Sequence, residues 1–196
     1  MHESGRRGVM TEQTADDEEA SAPTPRMLAW VRNSAAYRLS RKMMTERELA
    51  DAIARKAKQK FEGISESQLV ILKSAAVEFG RQMHALDDAS YAGIRTKSSA
   101  RAGKSKRVIA RKLMDKGVDR QIIDQALAEA DDLQAALIFA RKRAFGPFRR
   151  VERDEKQQAR EFSAFARNGF SFEIGRKVME MDRDEAQEAL AIQPLG

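Results

Sequence analysis

A chain of 196 residues with 42% hydrophobic content can bury a core, but aromatics make up only 6% and Trp30 is the single tryptophan, which argues against one large apolar interior and for thin helical layers. There is no cysteine, and imidazole occurs only at His2 and His84, which excludes disulfide scaffolds, cysteine nucleophiles and thiolate or histidine-rich metal sites. The formal net charge of +6 is uneven: residues 1–25 set six acids against Arg6 and Arg7, residues 182–196 set four against Arg183, and the basic body between them is of a kind that attracts polyanions.

Residues 1–25 lack apolar periodicity and close on "SAPTP", so they read as a disordered acidic N-terminal tail. The tail has no charged-then-apolar leader pattern, and no stretch approaches the roughly 20 apolar residues that cross a bilayer. A soluble, cytoplasmic protein is expected. From Arg26 onward every periodic segment is helical and none alternates like a strand. The predicted helices run over 27–43, 45–60, 65–84, 87–102, 105–116, 119–130, 132–145, 150–167 and 171–181. Thr45 with Glu48 forms a capping box, with Met44 and Leu49 placed as its hydrophobic staple. Ser65 with Gln68, flanked by Ile64 and Leu69, repeats the device. Asp119 and Ser171 cap two further starts. The acid pairs Asp87–Asp88 and Asp131–Asp132 also fall at helix starts, where the positive helix end favours them. His84 follows the series Leu69, Leu72, Ala76, Phe79 and Met83 and reads as a packed or surface histidine, not a base or ligand.

Two junctions share one pattern. "LMDKGVD" from Leu113 and "FARNGFS" from Phe165 both read apolar, two residues, Lys or Asn, Gly, apolar, cap. Gly117 and Gly169 would each end a helix in the left-handed conformation, with the next cap two residues later. Gly63 offers a looser copy behind the basic "KAKQK". "AAYRLSRK" at 35–42 also resembles "AALIFARK" at 135–142, sharing Ala-Ala and Arg-Lys in register. The simplest organisation is an all-α fold of tandem three-helix repeats, elongated and curved: 26–84, 85–130 and 131–181, followed by an acidic C-terminal tail over 182–196.

The charge concentrates in the middle. From Ala89 to Met114 there are eight Lys or Arg and no acid. On the helix beginning at 105, Ile109 and Leu113 share one stripe while Lys104, Arg107 and Arg111 share another, because positions three and four apart lie on one face. Lys97 and Arg101 extend this ridge backward, and Lys106 and Lys112 flank it. Arg141, Lys142, Arg143, Arg149 and Arg150 form a second cluster. Cations held within reach are all that a nucleic-acid backbone requires, although a basic helical face is often only solvated surface. Phe145, Phe148, Phe162, Phe165, Phe170 and Phe172 admit base stacking, but Phe162, Phe165 and Phe170 are better explained as core. No phosphate loop, nucleophile elbow or zinc-protease pattern is present, so an enzyme is not expected, and neither is a cofactor. Nothing resembles a coiled-coil dimer seam, which favours a monomer.

The repeated residues resemble the RecX regulatory proteins, which modulate the bacterial RecA recombinase. "YRLSRKMMTERELADAI" is similar to that family's opening pattern, "LDDASYA" at 86–92 to its Asp-Asp-x-x-aromatic-Ala signature, "VIARKLMDKGVD" to its second-unit Lys-Gly turn and "FARNGFSFEIGRKVM" to its third-unit turn. The resemblance spans about residues 28–181, departing at Ser105, where the family often has Gly, and at the insertion "KAKQKFEG". It implies a non-enzymatic protein that lies in the groove of the RecA–DNA filament and limits its growth, contacting recombinase and single-stranded, or also double-stranded, DNA. The alternative is a general helical nucleic-acid-binding protein acting on DNA or RNA directly.

Overall fold

The computed structural model describes residues 22–150 and 154–192; most of the predicted N-terminal tail, residues 1–21, lies outside them. Among the described residues there are ten α-helices and no strand. The chain divides into two compact units, Met1–Asp87 and Asp88–Gly196.

The first unit holds α1 (Pro25–Leu39), α2 (Glu46–Lys60) and α3 (Glu66–Gln82). Helix α1 starts earlier than predicted, because Thr24 accepts the Met27 N–H and Pro25 takes the first helical position, where its missing N–H costs nothing. Both predicted capping boxes form, at Thr45–Glu48 and Ser65–Gln68. Val31 and Ala35, Leu49 and Ile53, and Leu69, Leu72 and Ala76 meet in one core, each large aliphatic contributing about 2 kcal/mol by leaving water. Trp30 meets Phe61 edge-on at 5.3 Å. The basic insertion continues α2 as its last turns, where Lys58 reaches Glu66 at 2.7 Å.

The second unit holds α4 (Asp88–Arg101), α5 (Lys106–Asp115), α6 (Arg120–Leu127), α7 (Asp132–Arg143), a 3₁₀ turn (Gly146–Phe148), α8 (Glu155–Arg167), α9 (Phe172–Glu180) and α10 (Arg183–Ile192). One cluster gathers Tyr91, Ala92, Ile109, Leu113, Ile123 and Leu127 from α4 to α6. A second gathers Leu137, Phe139, Phe165, Phe170, Val178 and Met179 from α7 to α9. Helix α7 is the spine: every residue from Gln134 to Ala140 is buried, and alanines at 135, 136 and 140 let neighbouring helices approach closely.

The acidic segment read as a tail after residue 182 instead carries α10. Asp182 and Glu185 make a reciprocal capping box, with N–H to carboxylate distances of 3.0 and 2.8 Å, and Ala186 is buried in the second cluster beside Leu190. The acids there start a helix, as the N-terminal dipole favours, while a thin apolar stripe docks it. Phe162, Phe165 and Phe170 pack with this core as expected; Phe172 is exposed and stacks on Phe162 with centroids 5.3 Å apart.

Five helices end in one kind of turn. A left-handed residue donates to the carbonyl three residues back, and the next N–H to the carbonyl five back: Gly117 to Met114 with Val118 to Leu113, and Gly169 to Ala166 with Phe170 to Phe165. This is the Schellman arrangement. Gly103 repeats it, and so do His84 and Ala144, with φ of 51° and 54°. Gly63 also has positive φ, at 68°.

Candidate nucleic-acid interface

The ridge predicted on α5 is anchored at its first residue. Ser105, fully buried, accepts the Val108 N–H at 3.3 Å and donates to the Asn168 carbonyl oxygen at 2.7 Å. Its hydroxyl thus satisfies a free donor at the start of α5 and a free acceptor at the end of α8. Asp132 of α7 adds a second cap, accepting the Lys106 N–H at 2.7 Å. At the other end of α7, Lys142 donates its ammonium to the Arg101 carbonyl oxygen at 3.3 Å, bringing the second basic cluster beside the first.

This anchoring leaves Lys97, Arg101, Arg107, Arg111 and Lys112 exposed, with Lys104 and Lys106 half-buried. The Lys104 ammonium lies 3.5 Å from Asn168 Oδ1, at the negative end of α8. A Cβ built on Gly169 would stand 3.5 Å from the Arg107 Cβ, so the ridge begins against the α8–α9 turn.

Asn168 also lines a cleft of about 570 Å³, together with Arg143, Arg149, Arg150, Arg160 and Arg167 and with Phe145, Gln157 and Glu161. The one carboxylate among the described residues that line it, Glu161, is neutralised. Arg149 Nε and Nη2 donate to Glu161 Oε1 and Oε2 at 2.9 and 2.6 Å, and the Gly146 N–H donates to Oε2 at 3.0 Å. The hydrogen bonds to Glu161 raise the Arg149 pKa above its ordinary value, against the opposing effect of burial. Arg149, expected among the free cations, is therefore tied in a buried pair that holds the 3₁₀ turn to α8. Arg143, Arg150, Arg160 and Arg167 meet no described carboxylate, leaving guanidinium forks of a shape that matches phosphate.

Sequence reasoning brought Arg143, Arg149 and Arg150 to this site but missed Arg160 and Arg167. The signal was present: positions 157, 160, 161, 164 and 167 share one face of α8, while Phe162 and Phe165 claim attention as core. Arg141 is exposed at the end of α7 and does not line the cleft. Among the described residues no group of His, Asp or Glu is placed to hold a metal ion, and no helix is long and apolar enough to cross a membrane.

The chain is 59% identical over 181 residues to a regulatory protein RecX of Agrobacterium fabrum, an alignment covering 91% of this chain and 98% of that one. It belongs to the RecX family. A RecX of Myxococcus xanthus is 33% identical over 158 residues, covering 77% of this chain and 84% of the relative. The family model described as RecX, second three-helix domain, matches residues 87–127, which are helices α4 to α6 together with the ridge. The crystal structure of RecX from Lactobacillus salivarius shares the fold, with a TM-score of 0.62 at 20% identity, over 87% of this chain and all of that one.

Proposed function

We propose that this RecX-family chain is a non-enzymatic inhibitor of the RecA recombinase, acting in the cytoplasm as a monomer built from three-helix units. It enters the groove of the RecA–DNA filament and limits filament extension, ATP hydrolysis and strand exchange. The observation that carries this reading is the basic surface of the second unit, where ridge and cleft meet at Asn168 and the one carboxylate among the described residues lining the cleft is neutralised from within. Such a surface offers phosphates many cations and, among the described cleft residues, no unpaired carboxylate. It has no defined recognition helix with base-reading side chains, so it tracks a backbone whatever the sequence. Family membership supplies the recombinase as partner.

The competing reading is a general nucleic-acid binder, which differs in its need for recombinase. A regulator lowers ATP turnover on RecA-coated single-stranded DNA at concentrations too low to occupy bare DNA. A general binder acts only as bare strands fill, and it slows an unrelated DNA-dependent ATPase equally. Equal inhibition of both enzymes would overturn the regulator reading.

A further inference from the structure

The first unit carries a separate basic cleft, of about 480 Å³, at the C-terminal end of α1, lined by Tyr37, Arg38, Arg41, Lys42, Glu48 and Arg55 among others. We propose that it is a second nucleic-acid site, taking a single-stranded segment by stacking a base at Tyr37 and holding its phosphates on Arg38, Lys42 and Arg55. None of these residues is among those the sequence marks for nucleic acid, and the site involves DNA or RNA alone, so it stands independently of the recombinase reading.

Tyr37 is 63% exposed, an aromatic left in water on a helix that buries Val31 and Ala35. The ring is also held in place. The Arg41 guanidinium carbon lies 5.5 Å from its centroid, and Arg41 Nη1 donates to the phenolic oxygen at 3.2 Å. An ordered ring and guanidinium plane form a stacking platform that a nucleobase extends at small entropic cost. Around it, Arg38, Lys42 and Arg55 pair with no described carboxylate, and Arg38 Nε, itself buried, has no hydrogen-bond partner among the described residues. The two acids lining the cleft have partners: Glu48 Oε2 accepts the Thr45 N–H at 3.4 Å, and Asp51 faces the Lys73 ammonium at 3.9 Å.

Cations near a helix C-terminus are favoured by the dipole alone, which accounts for Arg38 and Arg41. It accounts neither for Arg55, which comes from α2, nor for the exposed ring. An acidic protein segment would use the cations but not the aromatic platform. The combination of a stacking surface with unpaired cations fits single-stranded nucleic acid.

The test uses the full chain and a short single-stranded oligonucleotide carrying photoactivatable 5-iodouracil, in deoxy and ribo forms to show which sugar the site accepts. Crosslinking is expected at Tyr37. In an Arg107→Glu/Arg111→Glu background, which keeps the second unit from masking the loss, Tyr37→Ala is expected to weaken binding of the base-bearing strand about tenfold. It should leave an abasic strand of equal length unchanged, while Tyr37→Phe, which keeps the ring and loses only the bond from Arg41, retains most of the affinity. Equal losses on base-bearing and abasic strands, no crosslink to Tyr37 with either sugar, or displacement of poly-glutamate instead of the oligonucleotide would each overturn the site.

Discussion

Ser105 and Asn168 stand 63 residues apart, yet the hydroxyl of one donates to the carbonyl oxygen of the other at 2.7 Å. This bond fixes the start of the basic ridge to the end of α8, whose Arg160 and Arg167 line the cleft. Ser105→Ala removes both this contact and the α5 cap, so it should destabilise by about 1–2 kcal/mol. Denaturant unfolding measures the loss. Nucleic-acid affinity should also fall although no cation is removed, and an unchanged midpoint would mean that neither bond contributes.

Gly169 and Gly175 make a matched pair. Gly169 has φ of 80°, and a Cβ there would stand 2.5 Å from the Ser105 Oγ, so Gly169→Ala should cost about 2 kcal/mol or more from the left-handed backbone and the clash. Gly175 lies within α9, and its built Cβ meets Phe165 and Phe162 at 3.5 and 3.6 Å, ordinary contact distances. Gly175→Ala should therefore stabilise by about 0.5–1 kcal/mol. Thermal melting of the two variants should move in opposite directions.

How much the sequence disclosed depended on whether a signal was local. Caps at Thr45, Ser65, Asp119 and Ser171 lie within three residues of the groups they satisfy and were legible, as were the glycine turns at 117 and 169. His84 and Ala144 make the same turn without glycine, held by the same pair of backbone hydrogen bonds, so they carried no mark. Helix α10 was hidden by its acids, which suggest a solvated tail unless Asp182 and Glu185 are read as a cap. The basic ridge was legible because its charge is uninterrupted. The role of Arg149 was not, because its partner Glu161 is set by tertiary folding and both look like surface charges in sequence.

That buried pair gives a further prediction. Arg149→Ala leaves Glu161, 5% exposed, with an uncompensated charge and should cost about 3–5 kcal/mol. Replacing both residues with leucine should recover most of that loss. Arg150→Glu should instead leave stability nearly unchanged while weakening DNA binding. A double-mutant cycle by chemical denaturation, run beside a DNA titration, separates the two roles.

Binding of single-stranded DNA by the chain alone should be weak and strongly salt-dependent. If about five phosphates are neutralised, log affinity falls against log salt with a slope of about −3.5. Fluorescence anisotropy across a salt series measures the slope, and a flat response would reject ridge and cleft as phosphate sites.

The most direct measurement of the recombinase-regulating role is ATP turnover by RecA on single-stranded DNA, titrated with the wild-type chain and with Arg107→Glu/Arg111→Glu. Both arginines are exposed on α5, so charge reversal should leave helical content and melting nearly unchanged. The wild type should suppress turnover and strand exchange at ratios up to one chain per recombinase, and the double variant should lose that suppression. Full inhibition by the double variant would contradict the basic ridge as the acting surface, and a wild type that never inhibits at stoichiometric ratios would contradict the regulatory role itself.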